Sequence, residues 1–138
     1  MKSMAIIIRD DSYDKLLTPL AFAYLEASGG TQVDMLFVNW SVLALTEKGA
    51  KEIKINGPHA DQEAWVRSQT EAAGLPSDIN TILKALKETG CVNMYACSLA
   101  AKIFGVDEAN LIPEAEEIVD ASWFLHEKAV KADHYQYF

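Results

Sequence analysis

The chain has 138 residues, half of them apolar and 23% charged, with a formal net charge of −8. This describes one globular domain, residues 1–138, large enough to bury a core of its own. The acidic balance argues against nucleic acid or an anionic membrane surface as a partner, and no apolar run reaches bilayer-spanning length.

The residues after Met1 read as a short strand and not as a secretory apolar segment, so the expected compartment is the cytoplasm. Two cysteines are too few for a disulfide scaffold. A cysteine that matters here is expected to matter as a thiol.

Ala5 to Ile8 ends in three successive isoleucines, followed by Arg9, Asp10 and Asp11, and predicts a buried parallel strand. A helix is expected from about Asp14 to Ala27, with Leu16, Leu20 and Tyr24 on one face. Pro19 requires either a start at Thr18 and Pro19 or a kink there. Gln32 to Asn39 predicts a second strand, and Trp40 opens a helical segment that Gly49 closes. From Lys48 to Asp61 a long surface loop is expected, with Glu52 to Ile55 as a possible minor strand.

Helices are expected from about Asp61 to Ala73 and from Asp78 to Glu88, the latter with Ile79, Ile82, Leu83 and Leu86 at helical spacing. Cys91 to Ala96 predicts the third strand, after which Cys97 and Ser98 lead into a short helix ending at Gly105. Glu114 to Val119 predicts the fourth, and a last helix runs from Ser122 to about Lys131. The tail with His134, Tyr135, Tyr137 and Phe138 is expected either to fray or to dock on a neighbouring subunit. Strands separated by helices imply right-handed crossovers. The expected fold is α/β: a mostly parallel open sheet with helices on both faces, a flavodoxin-like three-layer sandwich.

In such a sheet ligands bind beyond the carboxyl ends of the strands. The residues there are Arg9 to Asp11, Asn39 with Trp40, Cys97 with Ser98, and Asp120 to Trp123. Only Cys97 is a nucleophile of the thiol class. Placed where a strand gives way to a helix, it faces unpaired backbone N–H groups and the positive end of the helix dipole, which favour a reactive thiolate. Free cysteine also packs as a small hydrophobe, so position alone leaves the reactive and packed readings both open. Cys91 sits at the opposite end of the same strand, roughly 20 Å away, too far for a disulfide within one subunit.

The segment Gly90 to Val106, GCVNMYACSLAAKIFGV, runs an apolar strand into a cysteine, a short helix of small and apolar residues, and a Gly-Val step. Together with IIIRDDSYDKLLTPLAFAYLEASGG and VDMLFVNWSVLAL near the start, it resembles the DsrE/DsrF-like family of small sulfur-relay proteins over nearly the whole chain. That resemblance implies a homo-oligomer, trimer or hexamer, and a cysteine that carries sulfane sulfur as a persulfide between donor and acceptor proteins or small sulfane-sulfur compounds. Cys97 matches that cysteine.

Arg9, Trp40 and Ser98 are the expected substrate-binding residues around it. Arg9 would orient an anionic donor such as thiosulfate, in competition with an ion pair to its neighbouring aspartates. Trp40 would supply an apolar wall or a subunit contact. The alternative is an oligomeric binding or scaffold protein without catalysis, its cysteine merely packed.

Other chemistries fit less well. Asp10 and Asp11 resemble the acidic pair of phosphoacceptor receiver domains, but the third aspartate and the lysine after the fourth strand are missing. Two carboxylates at that turn would also oppose a phosphate. No glycine-rich nucleotide fingerprint occurs, and His59, His126 and His134 have no partner at metal-ligand spacing, so neither cofactor nor metal is expected.

Overall fold

The computed structural model describes residues 1–138. Its strands are β1 (Ser3–Ile8), β2 (Gln32–Phe37), β3 (Val92–Cys97), β4 (Glu117–Val119) and β5 (His134–Tyr137). They form one five-stranded sheet in the order β4-β3-β2-β1-β5, parallel at every pairing. The fold is the expected α/β, flavodoxin-like sandwich.

The helices are α1 (Tyr13–Ser28), α2 (Glu47–Glu52), α3 (Glu63–Ala72), α4 (Ile79–Glu88), α5 (Ser98–Phe104) and α6 (Ala121–Phe124). A π-helical turn, Leu125–Ala129, continues α6. From β1 to β4 the chain steps across the sheet in one direction, so right-handed crossovers place α1 to α5 on one face. From β4 to β5 it steps back over three strands. That return puts α6 and the π turn on the opposite face, with far less protein to cover it.

The strand register matches this division. Ile6, Met35 and Met94 lie side by side and are fully buried. Asp34 and Asn93, then Leu36 and Tyr95, occupy the other face by the two-residue alternation of a strand. There Trp123 and Phe124 stand edge-on to the Tyr95 ring, at centroid distances of 5.3 and 6.0 Å. On the heavily covered side α4 buries Ile79, Leu83 and Leu86, each of which removes about 1.5–3 kcal/mol worth of apolar surface from water. Its start is fixed by the Asp78 carboxylate, which accepts from the Thr81 amide at 2.9 Å.

Several local expectations are corrected. α1 starts at Tyr13 and runs through Pro19. Tyr13 and Leu16 are fully buried, and the Tyr13 hydroxyl donates to the Ser77 carbonyl at 2.6 Å, so the turn before the proline is fixed by tertiary packing. Gly49 does not stop a helix; it lies inside α2, after a 3₁₀ segment over Asn39–Leu45. A Cβ at position 49 would come within 2.1 Å of the Leu43 carbonyl oxygen, so the close approach demands glycine.

The stretch from 48 to 61 is therefore not one loop. It holds most of α2 and part of a 3₁₀ segment, Gly57–Gln62, with no strand over Glu52 to Ile55. The tail neither frays nor needs a neighbour in order to be held, because it forms β5 beside β1. The Phe138 amide donates to Ile7 at 2.8 Å, the Arg9 amide donates to Phe138 at 3.1 Å, and the Phe138 ring meets Phe22 at 5.6 Å. Asp133 accepts from the Lys2 and Ser3 amides, which hold its carboxyl below the usual range.

Candidate functional site

Cys97 is the last residue of β3 and the residue that precedes the first turn of α5. It lies beside Val119, the last residue of β4. The strand leaves its extended geometry here because Ser98 begins a helix of small and apolar residues, whose Ala100 and Ala101 bury against the sheet. Strand alternation gives Cys97 the same face as Tyr95, the face covered by α6.

The thiol is not open at the mouth of the sheet. Cys97 is 6% exposed and belongs to the apolar core. The connection from β4 into α6 passes directly beside it. Ser98 Oγ donates to Asp120 Oδ1 at 2.8 Å, tying the start of α5 to the start of α6. Cys91, at the other end of β3, is partly exposed, and both cysteines are free.

Of the residues expected around Cys97, only Ser98 is adjacent to it. Arg9 follows β1, and β2 lies between β1 and β3, so the strand axes are about 10 Å apart. Its guanidinium turns toward the other edge, 3.8 Å from Asp10 and 5.2 Å from the centre of the Tyr137 ring. Trp40 is exposed and packs at 4.5 Å on Phe104, the last residue of α5, about 10 Å along that helix from Cys97. Asn39 takes the left-handed conformation, φ 53°, that carries the chain out of β2. Ser41 then locks the turn, its buried hydroxyl within donating distance of the carbonyls of Ile8 (2.6 Å) and Val38 (2.7 Å).

A groove of about 1170 Å³ opens at the far end of α5, lined among others by Leu43, Lys51, Ile53, Phe104 and Leu111, with Cys97 outside it. No group of three histidine, cysteine or acidic side chains is arranged to hold a metal ion.

One polar cluster on the Cys97 face escaped the sequence reading. Asn93 donates to Asp34 at 3.0 Å, and the Lys128 ammonium lies 3.3 Å from the same carboxylate, near the rings of Tyr95 and Trp123. Burial raises the Tyr95 pKa above its ordinary value and keeps the phenol neutral. For Lys128 burial acts to lower the pKa, but Asp34 and Tyr95 outweigh it and the net direction is upward. The signal was present in the sequence: Asp34 and Asn93 interrupt two apolar strands at positions that become cross-strand neighbours.

A sequence profile of the DsrE/DsrF-like family matches residues 2–127. The chain belongs to the DsrE/DsrF-like family. Among solved structures, this DsrE/DsrF-like chain is similar to the ychN protein from E. coli, with a TM-score of 0.65, 16% identity and 100% of both chains covered. It is also similar to MTH1491 from Methanobacterium thermoautotrophicum, a protein of unknown function, with a TM-score of 0.60, 9% identity and 99% of each chain covered. At those identities the likeness is one of fold. No curated protein matches the chain. Membership of the DsrE/DsrF-like family points in general terms to sulfur relay.

Proposed function

We propose that this protein is a sulfur carrier or sulfurtransferase that takes sulfane sulfur onto Cys97 as a persulfide and passes it to an acceptor thiol. The observation that carries this reading is the place of Cys97: the end of β3, the residue before α5, in a chain of the DsrE/DsrF-like family. The first-turn amides of α5 lack helical partners and point toward the strand end that carries Cys97.

The chemistry is redox-neutral. The Cys97 thiolate attacks the outer sulfur of a donor such as thiosulfate; the new S–S bond forms as the old one breaks, and sulfite leaves with the electron pair. An acceptor thiolate then attacks the outer sulfur of the persulfide and returns Cys97 as thiolate. Arg9, Trp40 and Ser98 stay in this proposal as donor-binding residues. For Arg9 and Trp40 that role requires a donor large enough to span the rim, or a second subunit that brings them together.

Assembly as a trimer or hexamer belongs to the same reading and is supported by Trp40, Leu99 and Ile103, large apolar side chains exposed on and beside α5. A cytoplasmic setting, where thiols stay reduced, suits it.

The 6% exposure of Cys97 favours a second reading, an oligomeric binding or scaffold protein with a packed cysteine. Incubation of the reduced protein with thiosulfate or a persulfide-loaded cysteine desulfurase separates the two. Sulfur relay requires a sulfur increment on Cys97 that is lost on reduction, is absent from Cys97→Ser, and persists in Cys91→Ser. Equal labelling of Cys97→Ser removes the relay and leaves the scaffold.

A further inference from the structure

We propose that the hydrogen bond between Ser98 and Asp120 is a clasp that keeps the start of α6 closed over Cys97, so that reagents and sulfur donors reach the thiol when the clasp is open. β3 and β4 end side by side with Cys97 opposite Val119. The clasp bridges the two connections leaving those ends, 2.8 Å from hydroxyl to carboxylate. It is the only side-chain hydrogen bond joining α5 to the start of α6.

Three features make this a closure and not a mere surface contact. Cys97 is nearly covered although it stands at the end of its strand. The covering face carries only α6 and the π-helical turn that continues it, and Trp123 of α6 rests on Tyr95 two residues before the cysteine. α6 has four residues and passes at once into a π-helical turn; the fully buried Phe124 anchors its end, so it is the start, at Asp120, that the clasp ties to α5. Asp120 makes no capping bond to α6, which leaves its carboxylate to Ser98. An exposed hydrogen bond of this kind is weak enough to open without unfolding the sheet.

The role of the clasp in sulfur delivery rests on the persulfide reading; the covering of the thiol does not. Alkylation by iodoacetamide, followed by mass spectrometry of the separate cysteine peptides, tests it in the reduced protein. Ser98→Ala and Asp120→Ala should each raise the Cys97 rate about five-fold, the double variant no further, with the Cys91 rate unchanged. Ser98→Ala alters no charge, so agreement between the two single variants separates opening from an electrostatic effect. Asp120→Asn retains an oxygen acceptor and should stay close to the parent rate.

Unchanged Cys97 rates, additive effects in the double variant, or a parallel rise at Cys91 would each overturn the clasp. Alkylation needs no sulfane sulfur. Faster alkylation together with no sulfur loading in the parent therefore supports the clasp and refutes the relay, whereas parent-rate alkylation and parent-rate loading in Asp120→Ala, a residue outside the donor-binding set, support the relay and refute the clasp.

Discussion

The Arg67 guanidinium lies 4.0 Å from the centre of the Tyr13 ring, and each of its three nitrogens has its own acceptor. Nε donates to Glu63 at 3.2 Å, and the two terminal nitrogens donate to the carbonyls of Ser77 and Ile53 at 3.1 and 3.0 Å. The other Glu63 oxygen accepts from the Ile55 amide. One planar cation thus fastens α3 to the strandless segment before it and to the turn leading into α4.

Arg67→Ala leaves the Ile53 carbonyl without its partner, takes from the Ser77 carbonyl one of its two donors and uncovers the ring face, and should lower the unfolding free energy by about 1–3 kcal/mol. Arg67→Lys should recover only part of the loss, because an ammonium cannot present the planar fork. Urea unfolding midpoints of the three proteins check this; equal midpoints for parent and Arg67→Ala would sink it.

Alkali should loosen the fold through three groups. Burial raises the Tyr13 and Tyr95 pKa values, and Lys128 is raised on balance by Asp34 and Tyr95 against the opposing effect of burial. A group whose folded pKa is raised contributes fully below its unfolded value, about 10 for tyrosine and 10.4 for lysine. That contribution is lost as pH rises through the folded value. Thermal midpoints should therefore fall above roughly pH 10, and the fall should be shallower in Tyr95→Phe. An identical alkaline slope in that variant would contradict the assignment.

The last strand should contribute more than its length suggests. Phe138 is half-buried, so Phe138→Ala should cost about 1–2 kcal/mol, below the 3–5 of a fully enclosed phenylalanine. Deleting residues 134–138 also strips the ladder from one edge of β1 and should promote self-association. Calorimetry and light scattering at matched concentration test both; a truncated protein that melts like the parent and stays as dispersed would show β5 to be ornamental.

The central strands and the amphipathic helices were legible because each is driven by its own residues. The isoleucines of β1 and the spacing of Ile79, Leu83 and Leu86 need no distant partner to be recognised. The misreadings have a common origin in contacts that only the tertiary structure supplies. Gly49 reads as a stop until the Leu43 carbonyl is placed beside it. His134 to Tyr137 read as a tail that frays or docks on another subunit because four largely exposed residues carry no buried stripe, and the cause of the strand is the free side of β1.

At the site, the junction of strand and helix at Cys97 was predicted from local signals. The depth of the sulfur depends on α6 and was not. Arg9 and Trp40 were grouped with it only because all follow strand ends, which fixes a height on the sheet but not a lateral position.

The Ser3 amide reaches Asp133 across 130 residues of chain. With every strand pair parallel, none can form through a tight hairpin, and each must wait for a crossover to be traversed. Loop-closure entropy grows with the length spanned, and the seam between β1 and β5 spans the most. The speed at which this molecule assembles is thus set by encounters between remote segments.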